Sequence, residues 1–143
     1  MKIQVQCISA SDLIAADRGG TSDPFVVVKA IENGKDTASV STKVIKKTLS
    51  PEWNETFELE FTCSPEDLRI SVVVYDKDLL KKDFLGGVVA WNLQSLVKGV
   101  TLPLHTRLLG AETGQLKWSL KAVDFGQAEG AVANVAFAYA KKN

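Results

Sequence analysis

The sequence predicts an all-β fold: a two-sheet sandwich of about eight antiparallel strands. Three observations predict it. Hydrophobic residues recur at every second position through much of the chain. Turn-forming pairs and triplets separate those runs. With 143 residues, 45% hydrophobic and 24% charged, the chain can bury one core without staples. An alternating run buries one face and wets the other, as a strand of an antiparallel sheet does. Many short strands in a chain of this length favour a sandwich.

The first strand is Ile3, Val5 and Cys7, alternating with Gln4 and Gln6. Phe25 to Ile31 and Ala38 to Ile45 follow, with Asn33-Gly34 as the turn between them. Phe57, Leu59 and Phe61 alternate with Glu58, Glu60 and Thr62. Ile70, Val72 and Val74 come next, then Phe84 to Trp91. The spacing predicts one short helix over Leu93 to Lys98, capped by Asn92 and ended by Gly99. Thr101 to Leu108 and the run Leu116, Trp118, Leu120 complete the strands. Residues 125–143 form an alanine-rich extension. Val132, Val135, Ala136 and Tyr139 follow helical spacing there, and Val135, Phe137 and Tyr139 follow strand spacing. The extension is either a helix or an extra strand, packed on the sandwich or offered to a partner.

The aspartates gather in two loops at strand ends. Asp17 and Asp23 bracket Asp17-Arg18-Gly19-Gly20-Thr21-Ser22-Asp23-Pro24. Asp76, Asp78 and Asp83 lie in Asp76-Lys77-Asp78-Leu79-Leu80-Lys81-Lys82-Asp83. If both loops share one rim, five carboxylates repel unless hydrated or neutralised. Hard divalent cations are the usual remedy, and calcium takes about six to eight oxygens in flexible loop geometry. Aspartate is also a common turn residue, so spacing alone leaves the ordinary reading open. A helix–loop–helix calcium motif fits badly, because the flanks are strands and the closing residue is Asp83.

These residues carry a family resemblance. Leu13-Ile14-Ala15-Ala16-Asp17-Arg18-Gly19-Gly20-Thr21-Ser22-Asp23-Pro24-Phe25-Val26 resembles the first calcium-binding loop of a C2 domain. The stretch from Thr42-Lys43 through Leu49-Ser50-Pro51-Glu52-Trp53-Asn54-Glu55 to Phe57 resembles the family's central segment. Val74-Tyr75-Asp76-Lys77-Asp78 through Asp83-Phe84-Leu85-Gly86 resembles its third loop. The resemblance implies an eight-stranded antiparallel Greek-key sandwich over residues 1–124, in the second of the family's two permuted topologies. It leaves residues 125–143 outside the eight strands. It implies Asp17, Asp23, Asp76, Asp78 and Asp83 as calcium ligands, with the backbone carbonyls of Ala16 and Lys77 as further candidates. One departure is length: four residues, Leu79 to Lys82, stand between the last two aspartates where family members commonly have five.

The expected function is calcium-dependent binding of anionic phospholipid membranes, by a cytoplasmic protein that becomes peripheral to the membrane when calcium binds. Leu79 and Leu80 would enter the interface, and Lys81 and Lys82 would meet head groups. Lys43 and Lys47 are candidates for phosphoinositide head groups. Alternation places these two on one face of a strand and Lys46 on the other. The rival reading is a protein-interaction module on the same fold, independent of calcium.

Other classes find little support. The sole histidine, His105, has no nucleophile elbow, phosphate-cradling loop or metal motif beside it, so the chain is not expected to be an enzyme. The 17 basic and 17 acidic residues cancel, and no basic stripe interleaves the aromatics, which argues against nucleic acid. The alternating N-terminus does not read as a signal peptide. Cys7 and Cys63 are too few and too far apart for a disulfide scaffold or a zinc site, and read as reduced thiols.

Overall fold

Nine antiparallel strands make up two sheets in the computed structural model, which describes residues 1–78 and 80–140. In chain order they are β1 (Lys2–Ser11), β2 (Pro24–Glu32), β3 (Lys35–Ser41), β4 (Glu52–Glu60), β5 (Leu68–Lys77), β6 (Lys82–Trp91), β7 (Thr101–Arg107), β8 (Gln115–Ala122) and β9 (Ala136–Tyr139). One sheet has the order β4-β1-β8-β7 and the other β3-β2-β5-β6-β9. The alternation in the sequence becomes alternation in burial. Ile3, Val5 and Cys7 of β1 are fully buried, as are Leu116, Trp118 and Leu120 of β8 and Ile70, Val72 and Val74 of β5. Together they fill the space between the sheets. Cys7 and Cys63 are both free thiols, and burial pushes Cys7 up to about 12.

The outer face of the five-stranded sheet is apolar too. Val27, Val73, Tyr75 and Val89 are buried there, with Phe25 and Phe84 packed against them. Tyr75 lies between Phe25 (ring centroids 5.8 Å) and Phe84 (6.4 Å), and the Lys82 ammonium sits 4.3 Å above the Tyr75 ring. This second cluster explains why β5 reads as a nearly unbroken apolar run.

Two local expectations are corrected. The helix over Leu93 to Lys98 is only a 3-10 turn, Leu93–Ser95. Asn92 is in the left-handed region and makes no cap; its amide donates to Asn134 O (2.5 Å) and its carbonyl oxygen accepts from Gln94 (2.7 Å). Leu93 and Leu96 are both buried, and one tight turn at that three-residue spacing points both inward. The strand expected to reach Ile45 stops at Ser41. Thr42 turns inward, its hydroxyl accepting from Val26 N–H (2.9 Å), and the chain becomes irregular. Lys43 and Lys47 therefore lie beyond the strand, and the alternation argument does not apply to them. The eight expected strands are all present among the described residues, and the extension adds a ninth.

The ninth strand comes from the extension. Phe125 packs edge-on to Phe61 with centroids 5.1 Å apart. Gln127 then joins the 93–98 segment: its N–H donates to Leu96 O (2.7 Å), and its side chain donates to Ser95 O (2.6 Å). Gly126 between them has φ +107, and a Cβ there would collide with Leu96 O, so only glycine fits. Asn134 N–H donates to Ser95 Oγ (2.9 Å), and β9 pairs with β6 from Val88↔Tyr139 to Trp91↔Ala136.

Glu32 ties the β2–β3 hairpin to the segment after β4. Its carboxylate accepts from the Thr37 hydroxyl and from the N–H groups of Thr62 (2.7 Å) and Cys63 (3.0 Å). Those bonds, the Thr37 bond first, lower its pKa from 4.5 to about 2. A depressed carboxylate adds stability that is present above its unfolded value and lost as pH falls through the folded one. The urea midpoint should therefore fall as pH drops from 4.5 towards 2, and Glu32→Ala should flatten that slope. Partial solvent exposure keeps the effect modest. An unchanged slope in the variant would remove Glu32 from the account.

Candidate metal centre

The rim is built by the ends of β2, β5 and β6 together with the β1–β2 loop. That loop is closed by its own backbone: Asp17 N–H donates to Thr21 O (2.9 Å), and Gly20 N–H donates to Asp17 O (3.1 Å). Gly20 takes φ +79, which the tight reversal requires. Ser22 is fully buried and staples the loop from inside, accepting from Ala16 N–H (3.0 Å) and donating to Ile14 O (2.8 Å). Reading the sequence for charge passed over Ser22, although its place beside Asp23 was the available signal.

Asp23 ends the loop and enters β2. Its carboxylate accepts from Lys47 N–H (2.7 Å), and Thr48 N–H donates to Ser22 O (2.9 Å). The irregular segment after β3 thus holds Asp23 from outside through its backbone. Asp76 lies near the end of β5, opposite Pro24 on one side and Asp83 on the other. It is only 1% exposed, and its Oδ1 accepts from Asp23 N–H at 2.6 Å.

One oxygen each from Asp17, Asp23 and Asp76 falls within a 4.8 Å group. At that spacing each ionised pair repels by on the order of 3 kcal/mol at an effective dielectric of about 20. Burial pushes the Asp76 carboxyl above its ordinary value; the Asp23 N–H bond opposes this, and the charges of Asp17 and Asp23 reinforce it. Among the described residues, no lysine or arginine forms an ion pair with these three. The donor set is all oxygen, anionic and undercompensated, which fits a hard divalent cation such as calcium.

The other candidates are placed as follows. Asp78 is exposed, its N–H donating to Lys81 O (3.0 Å). Asp83 is half-buried, with Lys81 Nζ at 3.6 Å. Neither belongs to the 4.8 Å group. Lys77 N–H donates to Asp23 O (2.9 Å), tying the two loops together. Leu80 is 97% exposed at the tip of the β5–β6 loop, while Leu79 lies outside the described residues. Lys82 points onto the outer sheet face over Tyr75. Lys43 and Lys47 are both exposed; the Lys43 N–H donates to Glu55 (2.8 Å). His105 is an exposed residue of β7.

Comparison with known proteins agrees with this arrangement. The family model described as C2 domain matches residues 1–108. Extended synaptotagmin-1 of Mus musculus is 41% identical over 90 residues, covering 59% of this chain and 8% of that protein. The chain spans 8% to 14% of the length of the curated relatives it matches. Among solved structures, a C2 domain of plant Extended Synaptotagmin 1 superposes with a TM-score of 0.75 at 28% identity, covering 88% of this chain and 96% of that one. The tandem C2 domains of Extended-Synaptotagmin 2, calcium bound, give 0.69 at 25% identity, covering 84% and 44%. No helix among the described residues is long and apolar enough to cross a membrane. A two-sheet sandwich with its acidic loops gathered at one rim, matched by that family model over three quarters of its length, makes this chain a member of the C2 domain family.

Proposed function

We propose that this chain docks reversibly on anionic phospholipid membranes when calcium is present, as a binding module without catalysis of its own. The observation that carries the reading is the 4.8 Å group of Asp17, Asp23 and Asp76, to which no lysine or arginine among the described residues is paired. The calcium-bound Extended-Synaptotagmin 2 relative supports it. Bound calcium supplies positive charge and coordination positions open to lipid phosphate or carboxylate oxygens. The chain does the rest. Asp17 and Asp23 hold the ion from the first loop and Asp76 from the strand between, with Asp78, Asp83 and the Ala16 and Lys77 carbonyls as the outer donors. Without an ion, the same acids turn an anionic surface away.

Leu80 at the tip is free to enter the interface, contributing at most about 1.5–3 kcal/mol. Lys81 beside it adds about 1 kcal/mol near an anionic surface. For phosphoinositide head groups the proposal keeps Lys43 and Lys47, both exposed beyond β3; the bond from Lys47 N–H to Asp23 uses only its backbone. In the cell this describes a cytoplasmic protein that is peripheral to membranes on demand.

Co-sedimentation with vesicles of phosphatidylserine and phosphatidylcholine tests the reading. Binding is expected with calcium and not with chelator, and Leu80→Ser should weaken it roughly tenfold or more. Equal binding under both conditions would refute the switch and favour the calcium-independent interaction module.

A further inference from the structure

The two sheets end in four edge strands, and they are not alike. β4 carries Glu52, Glu55, Glu58 and Glu60. β7 carries Pro103 and Arg107. β3 begins Lys35-Asp36. Charge and proline are the usual means of keeping an edge from pairing with another chain. β9 has neither: it reads Ala136-Phe137-Ala138-Tyr139. Apart from the ladder to β6, no backbone hydrogen bond among the described residues reaches 136–139. Its outer edge therefore presents unpaired N–H and C=O groups.

This strand lies beyond the residues that the family model matches, and the chain devotes specific contacts to seating it. Phe125, Gly126, Gln127 and Asn134 all hold the segment that delivers β9 to β6. Sealing the edge of β6 alone would call for a charged strand. The strand supplied instead replaces one uncharged edge with another.

We propose that the free edge of β9 pairs antiparallel with the same edge of a second copy, joining two five-stranded sheets into one. A twofold axis perpendicular to the sheet keeps like faces together and requires that paired positions share a face. The register that centres Ala138 on the partner's Ala138 places Phe137 beside the partner's Tyr139, twice. Phe137 and Tyr139 do share a face, since they oppose Ala90 and Val88 of β6. Tyr139 is 70% exposed, and this register gives it an aromatic cross-strand neighbour. The 17 positive and 17 negative charges cancel, so no net repulsion opposes association. A short edge contact makes a weak, concentration-dependent dimer rather than a permanent one.

Sedimentation equilibrium on the full chain, with chelator and without lipid, tests this independently of calcium binding. The average mass should climb towards twice the monomer value between about 10 µM and 1 mM. Amide exchange at 136–139 should slow over the same range. Tyr139→Lys and Ala138→Lys each place a charge on the edge and should weaken association roughly tenfold or more, with melting curves checking that both remain folded. A wild-type chain that stays monomeric at about 1 mM overturns the proposal. So does association that both folded variants retain, or association that leaves the 136–139 amides unchanged.

Discussion

Asp76→Asn should abolish calcium-induced thermal stabilisation and, in chelator, should melt above the wild type. Both effects come from one carboxylate. Asp76 is 1% exposed and lies within the 4.8 Å group with Asp17 and Asp23. The amide keeps an oxygen to accept the Asp23 N–H bond and removes a negative charge from two repelling pairs. Relief of about 1–2 kcal/mol raises the melting temperature by a few degrees in a domain of this size. For the wild type, calcium at a hundred times its dissociation constant adds about 2.7 kcal/mol. Calorimetric titration and melting with and without calcium read both effects. A variant that still binds calcium at wild-type strength would remove Asp76 from the centre.

The pH dependence has a definite sign. The carboxyl of Asp76 titrates above its ordinary range when folded, so its contribution is present below the unfolded pKa and lost as pH rises through the folded one. Chelated wild type should gain local stability on acidification through that window, opposite in sign to Glu32, and Asp76→Asn should not.

A chain truncated after Asp124 should be strongly destabilised and prone to aggregate. Truncation removes Phe125, which is 7% exposed and packed on Phe61. Losing a buried phenylalanine costs about 3–5 kcal/mol, a large share of the roughly 5–15 kcal/mol that holds a domain together. It also uncovers the edge of β6 from Val88 to Trp91, Val88-Val89-Ala90-Trp91, which has no charge. Phe125→Ala isolates the first effect and should lower the melting temperature by on the order of 10 °C without exposing the edge. The division into 1–124 and 125–143 is thereby a proposal with a measurement: a monodisperse 1–124 fragment of wild-type stability would show the extension to be dispensable.

Most of the sandwich was legible in the sequence because one face of each strand is buried and the other wet. Ile3, Val5 and Cys7 show how direct that reading is. It loses force where other contacts decide. β9 carries two aromatics and two alanines, a pattern too short to separate helix from strand, and pairing with β6 settles the outcome. Asn92 to Gly99 has the punctuation of a helix, but Gln127 takes the carbonyl of Leu96 that another turn would use. The alternation up to Ile45 breaks once Thr42 turns inward to bond Val26, although Ile45 N–H still reaches Pro24 O. At the rim, charge clustering made Asp17, Asp23 and Asp76 visible. The backbone support from Lys47 was invisible, because it depends on where loops pass rather than on residue type.

The aromatic ladder behind the rim carries a further consequence. Asp23 is two residues from Phe25, Tyr75 adjoins Asp76, and Asp83 adjoins Phe84. The three rings are locked in succession across β2, β5 and β6. Each of these three acids is thus rooted one or two residues from a fixed ring, while Leu80 hangs beyond the last pairing of the hairpin. Tip composition can drift over evolutionary time without displacing the acids below, so taste for one surface over another is free to diversify while the anchorage stays put.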